Sequence, residues 1–160
     1  MRRKDREVTD PVKIQEIMEH CDCCRIGFND DGEVYIVPLN FGYKKVEDKY
    51  TLFFHGAGAG RKYELAQAKP NVGFEMDTNY LLHTNGESAD VACNYTARFQ
   101  SIIGNGIFSI VDNDAEKLEG LQLLMFHATG KKDWDFEPMM FKMVTVFKLE
   151  VTKLSCKEHE

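Results

Sequence analysis

Across residues 139–152 apolar side chains recur at alternate positions: Met139, Phe141, Met143, Phe147, Leu149 and Val151, with Lys142, Lys148 and Glu150 between them. A period of two buries one face of a strand and leaves the other to water. Such a strand is not stable alone, so the chain must build a sheet and cover one side of it.

The rest of the chain supplies partners. Residues 23–28 and 33–41 read as strands joined by Asn29-Asp30-Asp31-Gly32, whose Asp-Gly step favours a tight hairpin. Residues 50–55, 72–76 and 98–111 have strand character as well, the first of these following a charged turn. Asp10-Pro11 ahead of Val12, Ile14, Ile17 and Met18 predicts a capped amphipathic helix, because Asp accepts from the first unpaired amides and Pro suits the first turn. Residues 61–69 have helical composition and stop at Pro70, and residues 113–127 place Leu118, Leu121, Leu124 and Met125 on one side of a helix. Residues 79–96 are polar and mixed, with an Asn85-Gly86 step, and read as a long excursion from the core. About six strands with short hairpins and few helices predict a mainly β fold, an antiparallel barrel with helices packed outside it. A chain of 160 residues, 43% of them hydrophobic, suits one domain spanning residues 1–160.

Charge and cysteine content exclude several function classes. A net charge of −6 argues against nucleic acid or an anionic membrane, which are bound through excess Lys and Arg. The basic start Arg2-Arg3-Lys4 is cut short by Asp5 and reads as a solvated terminus. No apolar run approaches the roughly 18–20 residues of a membrane span, and no N-terminal apolar stretch suits a secretion signal, so a cytoplasmic location is expected. Cys21, Cys23 and Cys24 crowd together rather than forming a spaced disulfide framework, which fits reduced thiols. Their C-x-x-C spacing lacks the second ligand pair that zinc needs and follows a helix end rather than opening a helix, so no metal is expected. His20, His83, His127 and His159 have no partner pattern, and neither a Ser-His-Asp set nor paired carboxylates stand out. Any chemistry is therefore expected to belong to a cofactor.

Phe53-Phe54-His55-Gly56-Ala57-Gly58-Ala59-Gly60-Arg61-Lys62 sets three glycines between a strand and a helix start. Glycine lets backbone approach a ligand closely, unpaired amides at a helix N-terminus favour an anion, and Arg61 and Lys62 add charge. The pattern points to a phosphate. It is not a P-loop, because no Ser or Thr follows the Lys to hold magnesium. The same composition would also serve as a flexible connector with two solvated cations, and spacing leaves both readings open. If the phosphate belongs to a flavin, the ring needs main-chain polar groups along a strand edge, which Val37, Pro38, Leu39 and Asn40 could supply. Pro38 cannot donate to a ladder and so marks an edge or an irregularity, whether or not a ligand lies there.

Three separated segments together resemble the pyridoxamine 5'-phosphate oxidase-like, FMN-binding split-barrel family, and within it the nitroimidazole-resistance branch. They are the start at Arg2-Arg3-Lys4-Asp5-Arg6-Glu7 with the later Val37-Pro38-Leu39-Asn40-Phe41-Gly42-Tyr43, then His55-x-Ala57-x-x-Gly60-x-Lys62, then Cys93 with Arg98-Phe99-Gln100-Ser101-Ile102-Ile103-Gly104-x-Gly106. The resemblance implies a split antiparallel barrel that binds FMN. By position it implies that Val37, Pro38, Leu39 and Asn40 line the flavin ring with His55 beside it. Arg61 and Lys62 would hold the phosphate, Gly56 and Gly60 would belong to the same cofactor-binding turn, and Gln100 and Ser101 would complete the pocket. It also implies a homodimer with the flavin in the groove between two chains. Gly56 departs from the family, where a small hydroxyl residue is common, and Gly58-Ala59 replace more polar residues, so the cradle would lean on backbone amides.

The activity this implies is an FMN-dependent oxidoreductase. It would take hydride from NAD(P)H and pass electrons to a small acceptor such as a nitroaromatic, with His55 orienting the ring or donating a proton. The alternative is a flavin or haem protein without turnover, used for binding, storage or sensing. Pyridoxamine-phosphate oxidation itself ranks below both. Its substrate is a second phosphate ester, and the C-terminal third offers only scattered lysines such as Lys131, Lys132 and Lys142.

Overall fold

A computed structural model describes residues 3–86 and 88–159, so Arg2 of the basic start lies outside them. The elements in chain order are β1 (Glu7–Val8), α1 (Pro11–Glu19), β2 (Cys24–Asp30), β3 (Glu33–Leu39), β4 (Gly42–Val46) and β5 (Lys49–Gly56). They continue with α2 (Arg61–Ala68), β6 (Asn71–Thr84), β7 (Tyr95–Ile110), α3 (Asp114–Thr129), α4 (Pro138–Met143) and β8 (Thr145–His159).

Local chemistry sets several boundaries. Asp10 caps α1 by accepting from the Val12 amide, and Asn113 caps α3 by accepting from Glu116. Gly130 ends α3 in the left-handed conformation at φ 71°. At the β2–β3 turn Asp31 and Gly32 both have positive φ, 52° and 96°, the geometry that joins twisted strands through two residues.

All strand pairing is antiparallel, in one eight-stranded sheet ordered β3-β2-β6-β7-β8-β5-β4, with β1 added on β8. Its two ends, β3 and β4, are separated in the chain only by Asn40 and Phe41. Three Cα steps reach about 11 Å, so the two edges must come together and the sheet must roll up. Residues 33–46 therefore form one extended path, pairing with β2 in its first half and with β5 in its second. The ladder is not closed by hydrogen bonds, and the chain itself crosses the gap.

Inside the roll, Phe28, Phe54, Phe108 and Phe147 are fully buried, with Phe108 stacked on Phe147 at 5.4 Å between centroids and edge-on to Phe28 at 5.3 Å. Leu65 and Ala66 of α2, which links the end of β5 to the start of β6, join this core. Outside, α3 covers Phe53 and Val146 with Leu121. The mainly β, barrel-with-helices architecture expected from the sequence is what forms.

Three local expectations are corrected. Residues 138–143 form the short helix α4 rather than the start of a strand, because Glu137 caps the Met139 and Met140 amides and Pro138 fits the first turn. The alternation there is coincidental, since Met139, Met140 and Met143 are all exposed. Much of the excursion at 79–96 is ordered as strand. After an irregularity between Thr78 and Leu81, Leu81, Leu82, His83 and Thr84 pair with Arg98, Ala97, Thr96 and Tyr95 as an arm. The charged stretch before residue 50 contains β4, so β4 and β1 raise the strand count from about six to eight.

Candidate functional site

The glycine-rich turn lies where β5 gives way to α2. Gly60, the residue before α2, has φ 98° and no side chain caps the helix. The first amides of α2 are therefore left to solvent or a ligand. Any residue with a Cβ would be strained at that φ.

Lys62 folds back over this turn. Its Nζ donates to the His55 carbonyl at 3.3 Å and sits 4.6 Å from the centroid of the Phe147 ring. The side chain is half-buried, and burial lowers its pKa from the ordinary lysine value. No carboxylate among the described residues pairs with it. A Cβ on Gly56 would stand 2.5 Å from Lys62 Nζ, and one on Gly58 would stand 2.9 Å from Thr145 Oγ1. The glycines thus leave room that an ammonium and a hydroxyl close from two sides.

Arg61 is differently placed. Its guanidinium pairs with Asp30 at 2.6 Å and Glu33 at 3.4 Å and lies over the Tyr35 ring at 4.6 Å, on the protein surface. The hydrogen bond to Asp30 raises its pKa further. Lys69 holds Asp31 at 2.6 Å, so the β2–β3 turn is tied to both ends of α2.

His55 is exposed on the outer face of β5, the face that carries Phe53. Its backbone carbonyl takes the Lys62 ammonium, and its ring has no hydrogen-bond partner among the described residues. Gly42 pairs with Phe53, so Asn40, two residues before Gly42, and His55, two after Phe53, lie toward the same end of that ladder. Asn40 Nδ2 donates to the Asp22 carbonyl at 3.1 Å.

The remaining candidates divide between the two faces of the sheet. Pro38 is exposed on the outside, opposite Arg25, whereas Val37 and Leu39 turn inward and pack on the barrel core. On β7, Ser101 lies outward, opposite Asp77, and Gln100 lies on the same side as the buried Ile102. Gln100 accepts from Asn79 at 2.6 Å and donates to Glu158, so its amide is fully oriented. Between Pro38 and Ser101 runs an ion cluster of Arg25 with Glu75 at 3.0 Å and Asp77 at 2.6 Å.

The turn thus assembles His55, Gly56, Gly60 and Lys62, with Arg61 at its rim. Nothing in the sequence marks Thr145, because its pairing with Gly56 depends on the fold. The larger hollows of the chain lie elsewhere. One of about 620 Å³ is lined by Glu19, Tyr43, Phe126 and His127, and one of about 510 Å³ by Tyr80, Arg98, Gln100 and His159. The glycine turn is an open rim in a single chain. Lys131 and Lys132 lie over the rings of Trp134 and Phe126, beyond the end of α3.

A model of the pyridoxamine 5'-phosphate oxidase family matches residues 10–158. No curated protein sequence matches the chain. Among solved structures, a candidate 5-nitroimidazole antibiotic resistance protein from Bacteroides thetaiotaomicron is 27% identical, with a TM-score of 0.79 over 95% of this chain and 86% of that one. An FAD and haem binding protein from Mycobacterium smegmatis shares the fold at 15% identity, with a TM-score of 0.79 over 97% of this chain and 74% of that one. The flavocytochrome Anf3 from Azotobacter vinelandii does so at 18% identity, with a TM-score of 0.76 over 100% of this chain and 72% of that one.

Proposed function

The chain belongs to the pyridoxamine 5'-phosphate oxidase family, and from that membership we propose that it is a flavoprotein holding FMN. In this reading it passes electrons from NAD(P)H through the flavin to a small acceptor such as a nitroaromatic. The observation that carries it is Lys62, a half-buried ammonium without a carboxylate partner among the described residues, set beside an uncapped helix N-terminus and a turn of only glycine and alanine. Those donors suit a phosphate monoester, since an anion would relieve the desolvation of the ammonium and occupy the unpaired amides. The neighbours lend support to a flavin in general: one is a nitroimidazole resistance protein, one a flavocytochrome and one an FAD and haem binding protein.

Bound FMN supplies the hydride and electron chemistry, and the protein supplies position and electrostatics. Lys62 fixes the phosphate. Arg61 adds charge from the rim, reduced by its own pairs with Asp30 and Glu33. His55, exposed and without a partner for its ring among the described residues, is the group able to orient the acceptor or deliver a proton. Pro38 and Ser101 present the outer sheet face, where Val34, Ile36 and Ile103 are 74%, 60% and 51% exposed. Exposed apolar side chains set around the Arg25–Glu75–Asp77 ion cluster on that face support a homodimer in which a second chain closes the groove.

The visible spectrum of the purified protein, with mass identification of the released chromophore, tests the cofactor. FMN is expected, bleached by NAD(P)H and reoxidised by a nitroaromatic. Bound flavin that no nicotinamide reduces would instead indicate a binding or storage protein. A colourless protein that takes up neither FMN nor FAD would refute the reading. For His55→Ala, flavin content is expected to hold while acceptor reduction falls about 10²-fold or more. Unchanged turnover would remove His55 from the mechanism.

A further inference from the structure

Thr145 opens β8 directly across from Gly56, with its side chain on the face that carries Phe147. That is also the face over which the Lys62 ammonium lies. The distance from Thr145 Oγ1 to a Cβ built on Gly58, 2.9 Å, sets the hydroxyl hard against the glycine turn. No described residue hydrogen-bonds that oxygen. A β-branched side chain in a strand has few rotamers, so the hydroxyl is held in place rather than swept through space.

Three kinds of donor therefore converge on the turn: the unpaired amides of α2, the Lys62 ammonium and the Thr145 hydroxyl. Among the described residues no carboxylate pairs with Lys62, and Arg61 keeps Asp30 and Glu33 on its own side of the turn. A terminal phosphate has three oxygens to satisfy, and backbone amides with one ammonium leave at least one lone pair unmet. We propose that Thr145 is a phosphate-binding residue, its Oγ1–H donating to a terminal phosphate oxygen of the bound flavin mononucleotide. The assignment rests on the FMN reading above and adds to Lys62 a second side chain that separates the phosphorylated flavin from riboflavin.

Two variants and two ligands test it. Apoprotein of the wild type, Thr145→Val and Thr145→Ser is titrated with FMN and with riboflavin, following quenching of flavin fluorescence. Thr145→Val keeps the shape and removes the donor, so FMN binding is expected to weaken about tenfold while riboflavin binding stays within about twofold. Thr145→Ser restores the hydroxyl and is expected to bind FMN as the wild type does. Undiminished FMN affinity in Thr145→Val overturns the assignment, as does an equal loss for both ligands, which would mark Thr145 as structural. Wild-type protein that binds neither flavin overturns the FMN reading itself, and the assignment with it.

Discussion

Lys62→Met separates what the ammonium does for the fold from what it does for a ligand. Methionine keeps the unbranched stem and its packing on Phe147 while deleting the charge. For the fold, the variant loses a ring contact at 4.6 Å and a 3.3 Å hydrogen bond to His55, together worth about 1–2 kcal/mol. It also escapes the desolvation that lowers the Lys62 pKa. The two effects oppose, so apoprotein stability should change by less than about 1 kcal/mol, about 2–4 °C in Tm for a chain of this size. For the ligand nothing compensates. A charge-assisted contact to phosphate is worth about 1.5–3 kcal/mol, so FMN affinity should drop about ten- to a hundredfold with riboflavin affinity unchanged.

The same pair of proteins reports on pH. A lysine whose pKa is lowered in the folded state binds fewer protons there than when unfolded. Its contribution to stability is therefore present above the ordinary value of 10.5 and is lost as pH falls through the folded pKa. Denaturant titrations of the apoprotein between pH 8 and 10.5 should show the wild type gaining on Lys62→Met as pH rises. If Lys62→Met unfolds several kcal/mol more easily, or loses riboflavin as readily as FMN, the ammonium is a structural clamp and the reasoning fails.

Two further outcomes follow from packing. Gly42→Ala would place a Cβ 2.3 Å from the backbone of Leu123 and Leu124 on α3, which has no side chain to swing aside. A loss of about 3 kcal/mol is expected by chemical denaturation, against less than about 0.5 kcal/mol for Gly27→Ala, whose Cβ would have 3.7 Å of clearance. Equal stability of the two variants would contradict the α3–β4 contact. Burial pushes the Cys21 thiol up to about 12 and the Cys156 thiol up to about 11, and raises Cys24 as well. At pH 8 a disulfide reagent should therefore modify exposed Cys93 first and reach these three only in denaturant, and uniform modification rates would contradict that core.

What the sequence discloses is local chemistry. Asp31-Gly32 dictates its hairpin, Asp10-Pro11 its helix start, and the glycines of 56–60 a bare turn between strand and helix. What it hides depends on partners distant in the chain. Residues 81–84 and 95–98 pair in an arm in which none is fully buried, so exposed and half-buried side chains show no alternation to read. At 138–143 two signals compete, and Glu137 with Pro138 outweighs a period of two that happens to run through exposed methionines. In the site, the Gly-x-Lys pattern is readable from one stretch of chain. That Arg61 is held by Asp30, and that Gln100 and Ser101 lie on opposite faces of the sheet, depends on the three-dimensional pairing.

The path of residues 33–46 also bears on how this molecule can meet others. A rolled sheet whose ladder stays open has two unpaired rims, and such rims ordinarily recruit foreign strands. Here a single stretch of chain provides both, β3 before Asn40-Phe41 and β4 after it, so the rims follow one another end to end. Each is short, seven residues in β3 and five in β4, and a short edge offers a foreign strand little ladder to extend. Copies of the protein are left to meet through side chains on sheet faces, and separating them should leave the strand content of each intact.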